Sequence, residues 1–126
     1  MSNLAFANHS AFEGPIGDEY ALLRLICPAA ADMSRQVGAF VRQWQRPAAG
    51  ADRSGRLEVL EIGCGTGITS CALLNARDDL VITAVDIAPA MLAQARVNLA
   101  EAVGQGRIKL VESDALDFLR GRHRCG

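Results

Sequence analysis

The sequence has few aromatic residues, few histidines and almost no net charge. Its 126 residues include one tryptophan, one tyrosine, four phenylalanines and two histidines, and 13 basic residues are balanced by 14 acidic ones. A protein that coats nucleic-acid phosphates needs a strongly basic surface, and one that stacks on bases needs aromatic rings. This composition therefore disfavours nucleic acid as a partner and favours a small molecule.

Four cysteines are present, but their spacing matches neither a zinc site nor a disulfide framework: Cys27, Cys64, Cys71 and Cys125. No two of them form a C-x-x-C pair, and no paired histidines lie beside them, so the usual metal-ligand spacings are missing. We expect reduced, mostly buried thiols in a cytoplasmic protein, with no bound metal.

The chain also lacks the roughly 18-residue apolar run of a membrane span. Met1–Ser10 contains neither the basic nor the apolar region of a signal peptide. No membrane partner is therefore expected. Half of the residues are nonetheless hydrophobic, which excludes disorder as the main state because such a chain can bury enough apolar surface to fold. The length fits one domain.

Residues 1–56 are predicted to form an N-terminal helical segment followed by a loop. The helical pattern extends over Glu13–Gln45 and is interrupted at Pro28, while Arg46–Arg56 contains the proline, glycine and serine residues typical of a loop. One apolar stripe, expected to pack into the core, recurs at helical spacing: Met33, Val37, Phe40, Val41 and Trp44.

Residues 57–126 alternate between strand and helix. Branched apolar runs predict strands at Leu57–Ile62, Leu80–Val85 and Arg107–Glu112. Helices are predicted between them, at Thr66–Ala76 and Pro89–Val103. The second helix has an apolar spine at every fourth residue: Met91, Ala95, Leu99 and Val103. This βαβαβ order indicates an α/β fold with a parallel sheet and right-handed crossovers, and the apolar runs indicate strands covered on both faces.

Acidic residues lie at or near the carboxyl end of each predicted strand, where open parallel sheets bind ligands. Glu61 lies near the end of the first strand, Asp86 follows the second and Asp114 follows the third. The first strand is also followed by three glycines at alternate positions: Gly63, Gly65 and Gly67. Because glycine has no Cβ, it permits a sharp turn there and lets a ligand approach the backbone closely.

The position of Asp86, 19 residues after Gly67, suits a carboxylate that accepts hydrogen bonds from both hydroxyls of a ribose. An adenosine-bearing ligand is therefore expected. A dinucleotide site would need the spacing G-x-G-x-x-G, but residue 68 is isoleucine. Glu61 would repel a pyrophosphate and attract a ligand that carries an ammonium and a sulfonium group. These charges favour S-adenosylmethionine over NAD.

The segments LEVLEIGCGTGITS, AVDIAPAMLAQAR and VESDAL resemble the successive motifs of class I S-adenosylmethionine-dependent methyltransferases. The resemblance covers residues 57–118. It implies a Rossmann-like parallel sheet with helices on both faces, preceded by N-terminal helices that cover the cofactor in many members. It also implies methyl transfer from S-adenosylmethionine to an acceptor that the sequence does not identify.

The resemblance assigns the first motif to the methionine part of the cofactor. It implies that the loop of Gly63, Gly65 and Gly67 lies under this part, with Cys64 and Thr66 lending backbone groups. It also implies that Glu61 lies near the cofactor's amino group. One alternative stays open, in which Glu61 is a solvated charge at the end of the strand. No catalytic residue is identified.

The resemblance assigns the other two motifs to the adenosine part of the cofactor. Asp86 would bind the ribose hydroxyls, and Ile87 would pack against the adenine. Asp114 would accept a hydrogen bond from the exocyclic amine of the adenine, with Ala115 beside it. Two alternatives stay open, because Asp86 could instead cap the helix that follows it and Asp114 could cap a helix that runs through Phe118.

The sequence departs from the family after the third strand. Family members have seven strands in the order 3-2-1-4-5-7-6, but residues 119–126 contain no apolar run that predicts a fourth. We therefore expect the N-terminal half of a methyltransferase, in which Leu57–Ile62 is an unprotected edge strand that promotes self-association. Two other functions stay open: a non-catalytic nucleotide-binding fragment that requires a partner chain, and an NAD-dependent oxidoreductase.

Overall fold

The computed structural model describes residues 29–45 and 55–124. In chain order the elements are α1 (Ala29–Gln43), β1 (Leu57–Ile62), α2 (Ile68–Ala76), β2 (Leu80–Asp86), α3 (Pro89–Asn98), α4 (Ala100–Gly104), β3 (Ile108–Glu112) and α5 (Ala115–Arg124). The predicted helical pattern before Pro28 and most of the predicted loop Arg46–Arg56 lie outside the described residues. Among the helices of these two ranges, none is both long and apolar enough to cross a membrane.

The three strands form one parallel sheet in the order β1-β2-β3. Leu57 of β1 is paired with Leu80 of β2, and Ile82 of β2 is paired with Ile108 of β3. The predicted βαβαβ order is therefore confirmed, and the bounds of β1 agree with the prediction. Because all three strands run in one direction, the residues that follow them share one edge of the sheet.

The helices cover both faces of the central strand. Alternate residues of β2, including Ile82 and Ala84, are buried in the main core beneath α2, α3 and α4. Val85 points to the opposite face and is also buried, while α5, after β3, contacts β2. β2 is therefore covered on both faces, as its apolar composition predicted.

The predicted helix Pro89–Val103 is interrupted at Leu99, which has φ −114° and ψ 20°. This prediction was therefore wrong in its extent. The buried residues also differ from the predicted spine, because Leu92 and Ala102 are buried whereas Val103 is exposed. Leu99 is fully buried at the break and packs where a Cβ on Gly67 would lie. Tertiary packing of this one side chain thus accompanies the interruption of the helix.

Helix α1 packs on α2 through small residues rather than through its apolar stripe. The Ser34 Oγ and Thr69 Oγ1 hydroxyls lie 2.8 Å apart in a hydrogen bond. An added Cβ on Gly38 would lie 3.0 Å from the carbonyl oxygen of Ala72, so the two helices approach closely. Phe40, on another face of α1, is 70% exposed. Its predicted core packing is therefore wrong, because close backbone approach selected the small-residue face; of the predicted stripe, Val41 does pack against the core.

Two arginines bind the carboxyl ends of the first two helices. Arg77 Nη1 donates to the carbonyl oxygens of Val41 at 3.2 Å and Trp44 at 2.8 Å, and its Nε and Nη2 donate to Asp79 at 2.8 and 2.6 Å. Arg107 Nη2 donates to the carbonyl oxygens of Leu74 and Arg77 at 3.0 and 2.8 Å. A positive charge at these positions complements the helix dipole and satisfies carbonyls that have no partner within the helix.

Replacing Arg77 by alanine is expected to lower the free energy of unfolding by about 1–2 kcal/mol, since hydrogen bonds to charged groups are lost from a partly exposed side chain. Urea unfolding followed by circular dichroism measures this change. Arg42→Ala is the control, because Arg42 is exposed and, among the described residues, makes one long contact, 3.4 Å, to the Ala76 carbonyl oxygen. Equal losses in the two variants would contradict the capping role of Arg77.

Candidate functional site

The loop between β1 and α2 has a backbone that favours glycine at three positions. Gly63, Gly65 and Gly67 have φ values of 75°, 56° and 92°, a region that residues with a Cβ rarely adopt. The amides of Gly63 and Cys64 donate to the carbonyl oxygen of Val85 at 2.7 and 3.2 Å, and the amide of Gly67 donates to the carbonyl oxygen of Cys64 at 3.0 Å. The loop is therefore attached to the end of β2 and closed by its own turn.

The three glycines have different surroundings. A Cβ on Gly63 or Gly65 would meet no atom within 4 Å, whereas a Cβ on Gly67 would lie 2.6 Å from Leu99 Cδ1. Gly67 thus lies against the protein interior, and the first two glycines face open space. That open side is where a ligand can reach the loop backbone.

Asp86 contacts both the loop and the start of α3. Its Oδ2 accepts from the Gly65 amide at 2.8 Å, and its Oδ1 accepts from the Ala88 amide at 2.9 Å. Ala88 is the N-cap residue of α3, and no side chain of the described residues makes a capping hydrogen bond to this helix, so the alternative that Asp86 caps it is wrong. A carboxylate offers about four acceptor positions, so these two bonds leave capacity for ligand hydroxyls.

Glu61 is half-buried and is held by α2. Ser70, a fully buried residue, donates its hydroxyl to Glu61 Oε2 at 2.5 Å. Burial raises the pKa of the Glu61 carboxyl, and the hydrogen bond from Ser70 partly opposes that rise. Glu61 is therefore a partly desolvated acid in a defined position, and the alternative of a solvated strand-end charge is wrong.

The pKa of the Cys64 thiol is affected by the negative charges around the loop. Burial, followed by the charges of Glu61 and Asp86, raises the pKa of the Cys64 thiol to about 11. The thiol is thus neutral at physiological pH, which does not suit a nucleophile. Since both carboxylates act on Cys64 and Asp86 also binds Gly65, the acidic residues and the glycine loop form one site.

The end of β3 joins this site through the backbone. The Ser113 amide donates to the carbonyl oxygen of Asp86 at 3.1 Å. Asp114 Oδ1 accepts from the amides of Leu116 and Asp117 at 2.9 and 3.2 Å, so the alternative that Asp114 caps the following helix is confirmed. Its Oδ2 has no hydrogen-bond partner in the two described ranges and remains able to accept from a ligand.

The remaining predicted residues lie at the same edge of the sheet. Ile87 directly follows β2 and is 67% exposed, as an apolar residue that contacts a ligand would be. Ala115 is the first residue of α5 and is half-buried. Both backbone groups of Cys64 have partners within the protein. The amide of Thr66 has none among the described residues and is thus the loop amide most available to a ligand.

Two site residues escaped the sequence prediction because their role depends on contacts between distant elements. Ser70 holds Glu61, and Asn98 Nδ2 donates to the carbonyl oxygen of Thr66 at 3.0 Å. Both are polar residues that are more than nine-tenths buried. The sequence does mark Ser70 and Asn98, because each interrupts an otherwise apolar helix face. It does not predict which group each of them binds.

Replacing Glu61 by glutamine is expected to stabilise the protein at neutral pH. Because the pKa of the Glu61 carboxyl is raised on folding, its contribution to stability is fully present below the unfolded pKa, near 4.5, and is lost as the pH rises through the higher folded pKa. Glutamine stays uncharged, and its oxygen still accepts from Ser70. Urea unfolding of both proteins should therefore give a difference that grows from about pH 4.5 upward; a difference that grows toward acid would contradict this reasoning.

Residues 59–124, about half of the chain, match a family model described as a methyltransferase domain. The chain is 49% identical to malonyl-[acyl-carrier protein] O-methyltransferase of Acetivibrio thermocellus over 45 residues, which are 36% of this chain and 16% of that protein. It is 41% identical to a putative O-methyltransferase of Mycobacterium tuberculosis over 71 residues, which are 55% of this chain and 32% of that protein. The chain thus spans less than a third of the length of these relatives.

Solved structures share the fold. The SAM-dependent methyltransferase of Agrobacterium tumefaciens superposes with a TM-score of 0.59 at 24% identity, over 79% of this chain and 28% of that one. The O-methyltransferase TomG of Streptomyces achromogenes, solved in complex with SAM, superposes with a TM-score of 0.57 at 22% identity, over 73% of this chain and 37% of that one. These similarities establish the Rossmann-like arrangement of the sheet and helices.

Proposed function

The chain belongs to the methyltransferase domain family, and from this premise we propose that its glycine loop binds S-adenosylmethionine for methyl transfer to a small-molecule acceptor. One observation carries the proposal: two carboxylates, those of Glu61 and Asp86, lie beside the glycine loop, where Asp86 binds the Gly65 amide at 2.8 Å and both charges act on Cys64. S-adenosylmethionine carries an ammonium and a sulfonium group, so its charge complements this surface. The relatives named O-methyltransferases support an oxygen atom as the methyl acceptor.

The residues fit this cofactor in shape as well as in charge. The space beside Gly63 and Gly65 is open to a ligand, and the Thr66 amide is available to donate. In the proposed complex Glu61 holds the amino group, Asp86 accepts from the ribose hydroxyls and Ile87 covers the adenine. Asp114 accepts from the exocyclic amine through the oxygen that does not cap α5, with Ala115 beside it.

The chemistry that the chain must support is mainly positioning. S-adenosylmethionine, when bound, supplies a methyl group on a positively charged sulfur, which leaves as a neutral thioether. Holding the two ends of the cofactor by separate carboxylates fixes where that methyl group lies relative to an acceptor, and fixed geometry is a major source of rate enhancement. None of the described residues is assigned as a general base.

Calorimetric titration with S-adenosylhomocysteine and with NADH tests the cofactor. S-adenosylhomocysteine retains the amino acid and adenosine parts, so we expect it to bind. NADH should not bind, since Glu61 opposes its pyrophosphate and Ile68 occupies the third glycine position of a dinucleotide loop. Binding of NADH alone, or no binding of S-adenosylhomocysteine to the folded chain, would overturn the proposal.

A non-catalytic fragment that needs a partner chain is a second candidate, favoured by the open edge of the sheet. In the part of the chain that the structure describes, β1 pairs only with β2, although its sequence is as apolar as that of a central strand. Such an edge has unpaired backbone groups that can add a strand from another chain. This candidate predicts cofactor binding without turnover, and restoration of turnover when a C-terminal half is added in trans.

We also propose that the β1 edge promotes self-association of this chain. Ile62→Lys, at an exposed position of β1, is expected to reduce association because an edge lysine disfavours strand addition. Val97→Lys adds the same charge at an exposed apolar position on α3 and is the control. Light scattering over a wide concentration range measures the mass. A sharp unfolding transition of a monomer, independent of concentration, would contradict the proposal.

A further inference from the structure

Asn98 is a buried amide at the junction between α3 and the glycine loop. It is the last residue of α3 and is only 6% exposed. Its Nδ2 donates to the carbonyl oxygen of Thr66 at 3.0 Å, across 32 residues of sequence. Burying an amide is unfavourable unless it is hydrogen-bonded, so the Asn98 side chain depends on its hydrogen bond to Thr66.

Gln94 sets the orientation of that amide. Its Nε2 donates to Asn98 Oδ1 at 3.1 Å from one helical turn earlier. Because Oδ1 receives this bond, the NH₂ group of Asn98 is the end that faces Thr66. The two side chains thus form a short relay from α3 to the loop.

The relay completes the restraint of the turn Cys64–Gly67. The peptide between Thr66 and Gly67 is held at its oxygen by Asn98 and at its N–H by the Cys64 carbonyl, 3.0 Å away. On the other side of the turn, Asp86 holds the Gly65 amide. The loop is therefore held from the end of β2, by Asp86, and from the end of α3, by Asn98.

We propose that Asn98, oriented by Gln94, is a positioning residue that presents the loop backbone to the cofactor, an inference that rests on the proposed function. Without the bond to its oxygen, the peptide after Thr66 is held only at its N–H, by the Cys64 carbonyl. The Thr66 amide, which has no partner in the described part of the chain, would then lose its fixed position. Cofactor affinity should fall although neither Asn98 nor Gln94 is among the residues proposed to contact the cofactor.

Asn98→Asp tests this with little change of shape. The carboxylate can still accept from Gln94 but presents an oxygen, not a donor, to the Thr66 carbonyl. We expect binding of S-adenosylhomocysteine to weaken about tenfold, as for the loss of one effective hydrogen bond, and the amides of Gly65 and Gly67 to exchange with deuterium faster. Asn75→Asp makes the same substitution at an exposed position of α2 and should change neither quantity.

Gln94→Leu is the second variant and keeps the test valid if Asn98→Asp does not fold. It should weaken binding of S-adenosylhomocysteine by about threefold, because the Asn98 amide is no longer oriented. Its effect should disappear in the Asn98→Asp background, because substitutions of residues that act through one relay are not additive. Gln105→Leu is its control. Gln105 directly follows α4, and its side chain donates a hydrogen bond to the Glu101 carboxylate on the exposed surface.

The outcomes separate the inference from the proposed function. Unchanged affinity and unchanged loop exchange in folded Asn98→Asp, or additive effects of the two variants, would overturn the positioning role while leaving the cofactor assignment in place. If the unmodified chain does not bind S-adenosylhomocysteine, the proposed function fails. Faster exchange at Gly65 and Gly67 in both variants would then still support the restraint of the loop.

Discussion

Replacing Gly67 by alanine is expected to lower the free energy of unfolding by about 3 kcal/mol. Two costs add: about 1–2 kcal/mol for an L-residue in the left-handed region, and about 1–3 kcal/mol for an added methyl group in a packed site. The first follows from the φ of 92°, and the second from the 2.6 Å that would separate the new Cβ from Leu99 Cδ1. Urea unfolding gives the value, with S-adenosylhomocysteine absent.

Gly65→Ala is the matched comparison. Gly65 also has a positive φ, but its Cβ would meet no atom within 4 Å, so only the backbone cost applies, about 1 kcal/mol. The effect on cofactor affinity should be the reverse, larger at Gly65 than at Gly67, because the open space beside Gly65 is where the cofactor is proposed to lie. We expect Gly65→Ala to retain most of its stability and to lose affinity. Equal stability losses at the two glycines would show that Leu99 does not restrict Gly67.

Replacing Asp86 by alanine is expected to weaken binding of S-adenosylhomocysteine by about 100-fold or more. Two ribose hydroxyls would lose a charged acceptor, and each hydrogen bond to a charged group contributes about 1.5–3 kcal/mol. The same change removes the acceptor of the Gly65 and Ala88 amides, so stability falls as well. Calorimetric titration, at a temperature where circular dichroism shows the variant folded, measures the affinity alone.

Asp86→Asn separates the two roles. Asparagine keeps one side-chain oxygen, so one backbone bond can survive, but the charge and one acceptor are lost. We expect its stability to lie between those of the unmodified protein and Asp86→Ala, while its affinity falls nearly as far. Asp117→Asn removes a carboxylate from the exposed surface of α5 and should affect neither. Tight binding by Asp86→Asn would show that the carboxylate charge is unnecessary.

The glycine loop and the strands were predictable because their causes are local. A strand such as Leu57–Ile62 is predicted by a run of branched apolar residues. The three alternating glycines predict a sharp turn, because its φ values are ones that only glycine adopts easily. The shared edge of the sheet also follows, since parallel strands that alternate with helices end on the same side. The acidic residues Glu61 and Asp86 indicate the kind of ligand from the sequence alone, because their charge favours a positively charged ligand.

The amino-acid sequence by itself thus determined the order of strands and helices, the place of the candidate site and the sign of its charge. Only the tertiary structure decided which face of α1 is buried, where Pro89–Val103 breaks, and which polar side chains hold Glu61 and Thr66. The reason is that these outcomes depend on the distance between segments remote in sequence: Gly38 lets two helices approach, and Asn98 finds its acceptor 32 residues away. A periodic pattern marks a residue as buried or polar, but the partner that satisfies it is set by packing.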